Sequence, residues 1–403
     1  MKRPVLILGW VPRIVTTVAR SLHAHGVPVD VADFTTEPRP YSGAIRNFKR
    51  LPRPDVPSSD FVDELRRFIR QNCHDMLIPI DDLALAAVTD HYEQLHDILH
   101  VACPPPAVTN RVLNKVSTLE IARQCGVAVP ETHIVSNSSQ LLQFDSRHFP
   151  LVLKPAKRKW GEKFKTSILT KPEDISRNFP ACREFTPPLL VQEYCEGVGL
   201  GIEMLMHHGN CVAVFQHRRL KEVPYSGGFA VAAVAESPDP ALTQKSLALL
   251  RALDWEGVAM VEFRVNGGGP PVLMEINGRY WGSISLPVLA GMDFPLHHWK
   301  LVHGEEPEIL PYVVGTRWRW TVGYVGRLHG LLVASRHSPA ARKIFFESLR
   351  EIPSDFRSPV RDAVFSAADP FPAIIELARS GKFYFSYHTK RVLERLALSR
   401  RDS

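Results

Sequence analysis

The chemistry-bearing residues of this chain concentrate in GVAMVEFRVNGGGPPVLMEINGRYWG, residues 257–282. The segment NGGGPP (266–271) has the Gly and Pro content of a turn, so the flanking runs predict a hairpin with Val265 opposite Val272. That pairing carries Glu262 to a position facing Glu275. Alternation puts Asn277 and Arg279 on the same face as Glu275, and Met260 and Arg264 on the same face as Glu262, while Val261, Phe263, Met274 and Ile276 point into a core. Directly opposed residues have Cβ atoms about 4.5–5.5 Å apart, and like charges there repel. Either one carboxyl holds a proton or a cation lies between them. Two carboxylates and the Asn277 amide oxygen are hard ligands of the kind Mg²⁺ takes, with positions left for phosphate oxygens and water. Arg279 would then stand where it can hold a phosphate in transfer. A surface hairpin whose acids pair with Arg264 and Arg279 would carry the same pattern.

The elements that must position these residues follow from the hydrophobic periodicity. PVLILG (4–9) and VPVDVADF (27–34), separated by a helix-length segment, predict the opening of a parallel sheet. The dinucleotide glycine fingerprint is missing, because WVPR follows Gly9, and Asp33 is correspondingly weak as a ribose contact. Helix DFVDELRRFIRQN (60–72) leads to strand DMLIPI (75–80) and the acids Asp81 and Asp82. These acids could hold substrate or metal, or cap the next helix. The proline cluster CPPPAVTN (103–110) marks a boundary, after which NKVSTLEIARQCG reads as a helix stopping at Gly126. From LVLKP (151–155) onward, strands with basic loops alternate with helices such as PALTQKSLALLRALD, a mostly antiparallel arrangement.

Length and composition narrow the class. At 403 residues the chain suggests two or three domains, and 45% hydrophobic with 23% charged residues is ordinary for a globular protein. No window reaches the roughly 18 apolar residues of a membrane span. Pro12 and Arg13 interrupt the apolar start, which argues against a signal peptide and for the cytoplasm. The six cysteines (73, 103, 125, 182, 195, 211) lack metal-site or disulfide spacing and read as reduced thiols. Residues 301–403 hold 16 Lys and Arg against 11 Asp and Glu, a basic and mainly helical region. It could complete a substrate pocket or form a partner surface, but no aromatic–basic motif supports nucleic acid.

The series LVLKP, LLVQEYCEG, GVAMVEF and VLMEINGRYWGS resembles, in order and spacing, the nucleotide site of the ATP-grasp superfamily, over about residues 108–300. Closest are its carbamoyl-phosphate synthase-like and carboxylate-amine ligase branches. The resemblance implies a Rossmann-like domain (1–107), a two-lobed ATP-grasp domain (108–300; small lobe about 130–195, large lobe about 196–300), and the C-terminal region (301–403). It also implies ATP with two Mg²⁺ ions, or Mn²⁺, on Glu262, Glu275 and Asn277. Arg279 would stabilise the phosphoryl group, and Lys154 and Lys115 would reach the phosphates. Gln192, Glu193 and Cys195 would meet the adenine edge, with Glu203 as a substitute for a ribose ligand missing from GVGLG. The loop AKRKWGEKFKT has a single glycine, Gly161, where the family is glycine-rich. In QHRRLKEVPYSGGFAV, Arg218 and Arg219 with Ser226, Gly227 and Gly228 would meet a carboxylate or acyl phosphate.

The implied reaction is ligation. A carboxylate attacks the γ-phosphate of ATP to give an acyl phosphate and ADP, and an amine then displaces phosphate. Positioning and charge neutralisation suffice for this, so the lack of a nucleophilic triad is no objection. Rivals are a carboxylase or kinase of the same fold, and a nucleotide-binding module without turnover. The expected partners are small-molecule carboxylates and amines, with a homodimer left open.

Overall fold

A computed structural model of the chain describes residues 2–56, 60–157, 166–179 and 182–381. The first sheet comprises β1 (Val5–Leu8), β2 (Val29–Asp33), β3 (Asn47–Arg50), β4 (Met76–Pro79) and β5 (His100–Val101), all parallel, in the order β3-β2-β1-β4-β5. Strand β1 is buried throughout, and its alternate side chains serve two cores. Val5 and Ile7 pack with Ile14, Val15 and Val18 of helix Pro12–Ala24, whereas Leu6 and Leu8 pack with Leu65 and Ile69 of helix Phe61–Asn72. The sequence reading missed β3 and β5, which are too short and too polar to show a period. Asp33 is fully buried and bound by Thr35 Oγ1 at 2.6 Å and by Arg50, a structural role and not a ribose contact.

A second sheet, β6 (Thr132–Asn137), β7 (Leu151–Pro155), β8 (Ser167–Leu169) and β9 (Glu184–Glu193), is antiparallel in the order β6-β9-β7-β8. Leu151, Leu153, Leu189 and Val191 fill a separate core with Phe144 and Phe179. Period-two alternation turns Lys154 and Gln192 to the other face.

The third sheet has seven strands: β10 (Val198–His207), β11 (Asn210–Val223), β12 (Phe229–Glu236), β13 (Gly257–Val265), β14 (Val272–Asn277), β15 (Arg317–Arg319) and β16 (Arg361–Asp362). Their order is β14-β13-β10-β11-β12-β15-β16. Helix Pro240–Ala252 covers one face, with Leu249 and Leu250 packed on Ile202, Val261, Phe263 and Leu273. The other face shares one core with the N-terminal sheet through Met260, Tyr280, Trp281 and Trp318. The sheet therefore continues past residue 300: β15 adds to β12, and Trp318 is 1% exposed. The basic C-terminal region is thus built into the sheet as far as residue 362, with helices Thr321–Ala334 and Pro339–Phe356 packed on each other. No helix of the described residues is long and apolar enough to cross a membrane.

Candidate active site

The hairpin β13–β14 brings Glu262 opposite Glu275 and Met260 opposite Asn277. An irregularity after Glu262 then shifts the register, so that Phe263 faces Leu273 and Arg264, not Val265, faces Val272. The bulge corrects one core assignment: Leu273 is fully buried, while Met274 is partly exposed. The extra residue offsets the one-residue shift at the turn, so Glu262 and Glu275 still share a face.

Two cations from outside the hairpin answer the repulsion of this pair. Lys115, the first residue of helix Lys115–Gln124, places its Nζ 3.1 Å from Glu275 Oε2. Arg219 of β11 donates through Nη2 to Glu262 Oε2 and through Nη1 to Glu222 Oε1 at 3.1 Å. Lys115 above all, with Lys154 and Arg279, holds Glu275 well below the usual carboxylate range. Burial pushes Glu262 up, with the charge of Glu275 adding to it and Arg219 opposing. The Asn277 amide lies 3.5 Å from Glu275 Oε1. From the four-stranded sheet, Lys154 reaches across to the Met274 carbonyl at 3.4 Å, its pKa lowered to about 8 by burial and by Lys115. Two carboxylates, an amide oxygen and two lysines meet at one edge. That donor set suits Mg²⁺ with phosphate oxygens around it.

Arg279 donates from Nε to Asp82 Oδ1 at 2.7 Å, joining the end of β14 to the helix after β4 across 197 residues of sequence. Burial opposes its charge, but Asp82 carries its pKa up. Asp81 caps the helix that begins at Asp82, accepting from Leu83 N at 3.0 Å and Ala84 N at 2.9 Å. One acid of the pair is thus a cap, and the other orients the arginine.

Strand β10 explains how Arg219 reaches Glu262. A Cβ on Gly199 would lie 2.7 Å from Arg219 Cδ, and one on Gly201 2.5 Å from His217 Cε1. The bare glycines of GVGLG let both side chains of β11 lie across β10. The same arrangement corrects Glu203, which is fully buried with its Oε1 2.5 Å from His217 Nδ1 and does not face a ribose. Arg218 is corrected as well: alternation turns it to the opposite face, where Nε meets Glu236 Oε1 at 2.5 Å. Only Arg219 of the arginine pair joins the site. The turn Ser226–Gly228 is stapled from both sides, with Gly228 O accepting from Arg219 at 2.9 Å and Ser226 O from the Tyr194 hydroxyl at 2.9 Å. Gly227 has φ of +125°, which a side chain would strain.

At the end of β9, Gln192 Nε2 donates to Thr132 Oγ1 at 2.8 Å and Glu193 Oε1 accepts from Glu131 N at 3.0 Å. Both side chains are tied to β6 and its approach, so any adenine contact by these two residues falls to backbone groups. Cys195 is half-buried, its thiol pushed up by burial. Gly161 and its neighbours 158–165 lie outside the described residues. Sequence reasoning missed Tyr194 and Glu222, the latter bonded to both Arg219 and Arg264. A tyrosine just past a strand and a glutamate near a strand end give no signal until the strands are paired.

Residues 185–322 match the family "ATP-grasp in the biosynthetic pathway with Ter operon". An uncharacterized protein of Methanocaldococcus jannaschii is 22% identical over 44% of this chain, and the match spans 43% of that relative, less than half its length. Among solved structures, the L-amino acid ligase of Bacillus licheniformis superposes with a TM-score of 0.59 at 17% identity, over 75% of this chain and 74% of the other. N5-carboxyaminoimidazole synthetase from Staphylococcus aureus gives 0.57 at 12% identity, over 78% and 80%. The biotin carboxylase domain of Hydrogenobacter thermophilus 2-oxoglutarate carboxylase, solved with MgADP, ADP and bicarbonate, gives 0.58 at 13% identity, over 79% and 74%. The chain thus has the fold of these ATP-grasp enzymes, and its segment 185–322 matches an ATP-grasp family.

Proposed function

We propose that this protein is an ATP- and Mg²⁺-dependent ligase that activates a carboxylate as an acyl phosphate and couples it to an amine, releasing ADP and phosphate. The observation that carries the reading is the facing pair Glu262 and Glu275, in register across one hairpin with Asn277 beside it. Glu262, Glu275 and Asn277 would hold Mg²⁺, which would supply charge neutralisation for the transferring phosphate. Lys115 and Lys154 exchange their present partners for phosphate oxygens. Arg279, fixed by Asp82, holds the phosphoryl group while a carboxylate oxygen bonds to the γ-phosphorus and the bond to ADP breaks. The amine then bonds to the acyl carbon, phosphate leaves, and the nitrogen loses a proton. The Ser226–Gly228 turn, held by Arg219 and Tyr194, is the segment that would meet the acyl phosphate. Six free cysteines accord with a reducing compartment, the cytoplasm.

The test offers pairs of small carboxylates and amines with ATP and Mg²⁺, following phosphate release and then product mass. The reading expects release matched by a new amide. Release without an amide would favour a carboxylase or kinase, and no release with any pair would leave a nucleotide-binding module.

A further inference from the structure

Arg13 takes no part in the chemistry above. It lies in the first turn of helix Pro12–Ala24, and its Nε donates to the Gly282 carbonyl at 2.8 Å. Its guanidinium carbon sits 4.1 Å from the ring centre of Trp320 and 6.0 Å from that of Phe229. Gly282 is what lets it pass: a Cβ there would lie 2.5 Å from Arg13 Nη2. The acid whose charge acts on it, Glu376, accepts from the indole N–H of Trp320 at 3.0 Å. Among the described residues, the remaining Arg13 donors have no hydrogen-bond partner and the side chain is in no salt bridge. Burial lowers its pKa to about 10, with the charge of Glu376 opposing and that of Arg279 adding to the shift. A half-buried guanidinium with unpaired donors, whose only neighbouring carboxylate among the described residues is already taken by an indole N–H, is suited to receive a further anion.

The surroundings describe the anion's carrier. Phe229 directly follows the stapled Gly228 turn yet is 61% exposed, an apolar surface beside a cation. Gly282 lies three residues past Arg279 in the chain, and the bonds of Arg13 go to none of the groups around Glu262 and Glu275.

We propose that Arg13 is the anchor for a second carboxylate, one that is not phosphorylated, on a small substrate whose apolar body rests against Phe229. The fork of the guanidinium matches a carboxylate through two parallel N–H bonds, while Trp320 covers one of its faces. An α-amino acid acting as the amine, or a dicarboxylate acting as the acid, presents this chemistry. The inference rests on the ligase reading for the role of the bound molecule, but the binding itself can be measured without turnover.

The experiment titrates the full-length protein, with and without MgADP, against the twenty common α-amino acids, succinate and glutarate, and against their primary amides. Tryptophan fluorescence and calorimetry report binding. At least one carboxylate should bind, with its amide weaker by about tenfold or more. Arg13→Gln should weaken the acid by a similar factor and abolish the distinction from the amide, and Arg13→Lys, which keeps the charge but loses the fork, should fall between. Unchanged MgADP affinity certifies that the variants are folded. The proposal is overturned if no carboxylate of the panel binds, or if Arg13→Gln keeps both affinity and discrimination. Arg13-dependent binding of an acid in a protein that ignores MgADP would instead sink the ligase reading and leave the anchor standing.

Discussion

Replacing Arg219 with methionine probes how the carboxylate pair is held. The arginine side chain is 8% exposed and its partner Glu262 11%, so the variant removes one member of a buried ion pair. Glu222 keeps Arg264 at 2.7 Å, which confines the damage to Glu262. That carboxylate is left facing Glu275 with no cation of its own. Breaking a buried pair from one side costs about 3–5 kcal/mol, and the lost bond to Gly228 O places the expected loss within that range. Arg219 and a metal also compete for the same Glu262 oxygens, so Mg²⁺ should bind the variant more tightly than the parent. A ligand at about 100 times its dissociation constant stabilises by about 2.7 kcal/mol, so a tighter site gains more from one fixed Mg²⁺ concentration. Urea unfolding with and without Mg²⁺ measures both effects. A loss below about 1 kcal/mol, or an equal gain from Mg²⁺ in both proteins, would refute the reasoning.

Two further outcomes depend on other parts of the frame. Gly201→Ala would press a Cβ against His217 and Glu203, both buried, and should cost about 1–3 kcal/mol in urea unfolding; a neutral result would show that the strands part easily. Asp30 is fully buried, bound by Arg46 at 2.9 and 2.7 Å and by His74 at 2.9 Å. Burial pushes its pKa up, but His74 and Arg46 prevail and hold it below the ordinary value. Its contribution is therefore present in full above about pH 4 and lost as pH falls through the lowered pKa. Asp30→Asn should be less stable by about 2 kcal/mol at neutral pH, with a flatter acid limb; parallel pH curves for the two proteins would contradict this.

How much of this was legible in the sequence depended on the range of the interaction. The Glu262–Glu275 pair was read from a turn register, Val265 opposite Val272, that is off by one residue, and the extra residue at Met274 offsets that error so that the two carboxylates still face each other. Arg218 and Arg219 could not be sorted, since their faces depend on how β11 pairs with β10 and on bulges near Lys221. The partner of Arg279 was invisible because Asp82 opens a helix of the N-terminal region, 197 residues away in sequence. Gly199 and Gly201 looked like a gap where a ribose ligand belonged, and only the pairing with β11 shows that they make room for His217 and Arg219. The three-residue strand RWR, with a single buried position at Trp318, could not announce that the C-terminal region completes the sheet.

The central claim is that Glu262, Glu275 and Asn277 form a Mg²⁺ site serving ATP, and Glu275→Gln tests it most directly. Glu275 and Lys115 are 36% and 28% exposed, so losing their ion pair should change stability by less than about 1 kcal/mol. The same change removes a charged ligand from the metal, and Mg²⁺-dependent ADP formation should fall by about a hundredfold or more. The measurement is ADP release against Mg²⁺ concentration for parent and variant, with urea midpoints taken on the same samples. The account predicts a folded variant whose ADP release no longer responds to Mg²⁺; a folded variant with the parent's Mg²⁺ response would contradict it.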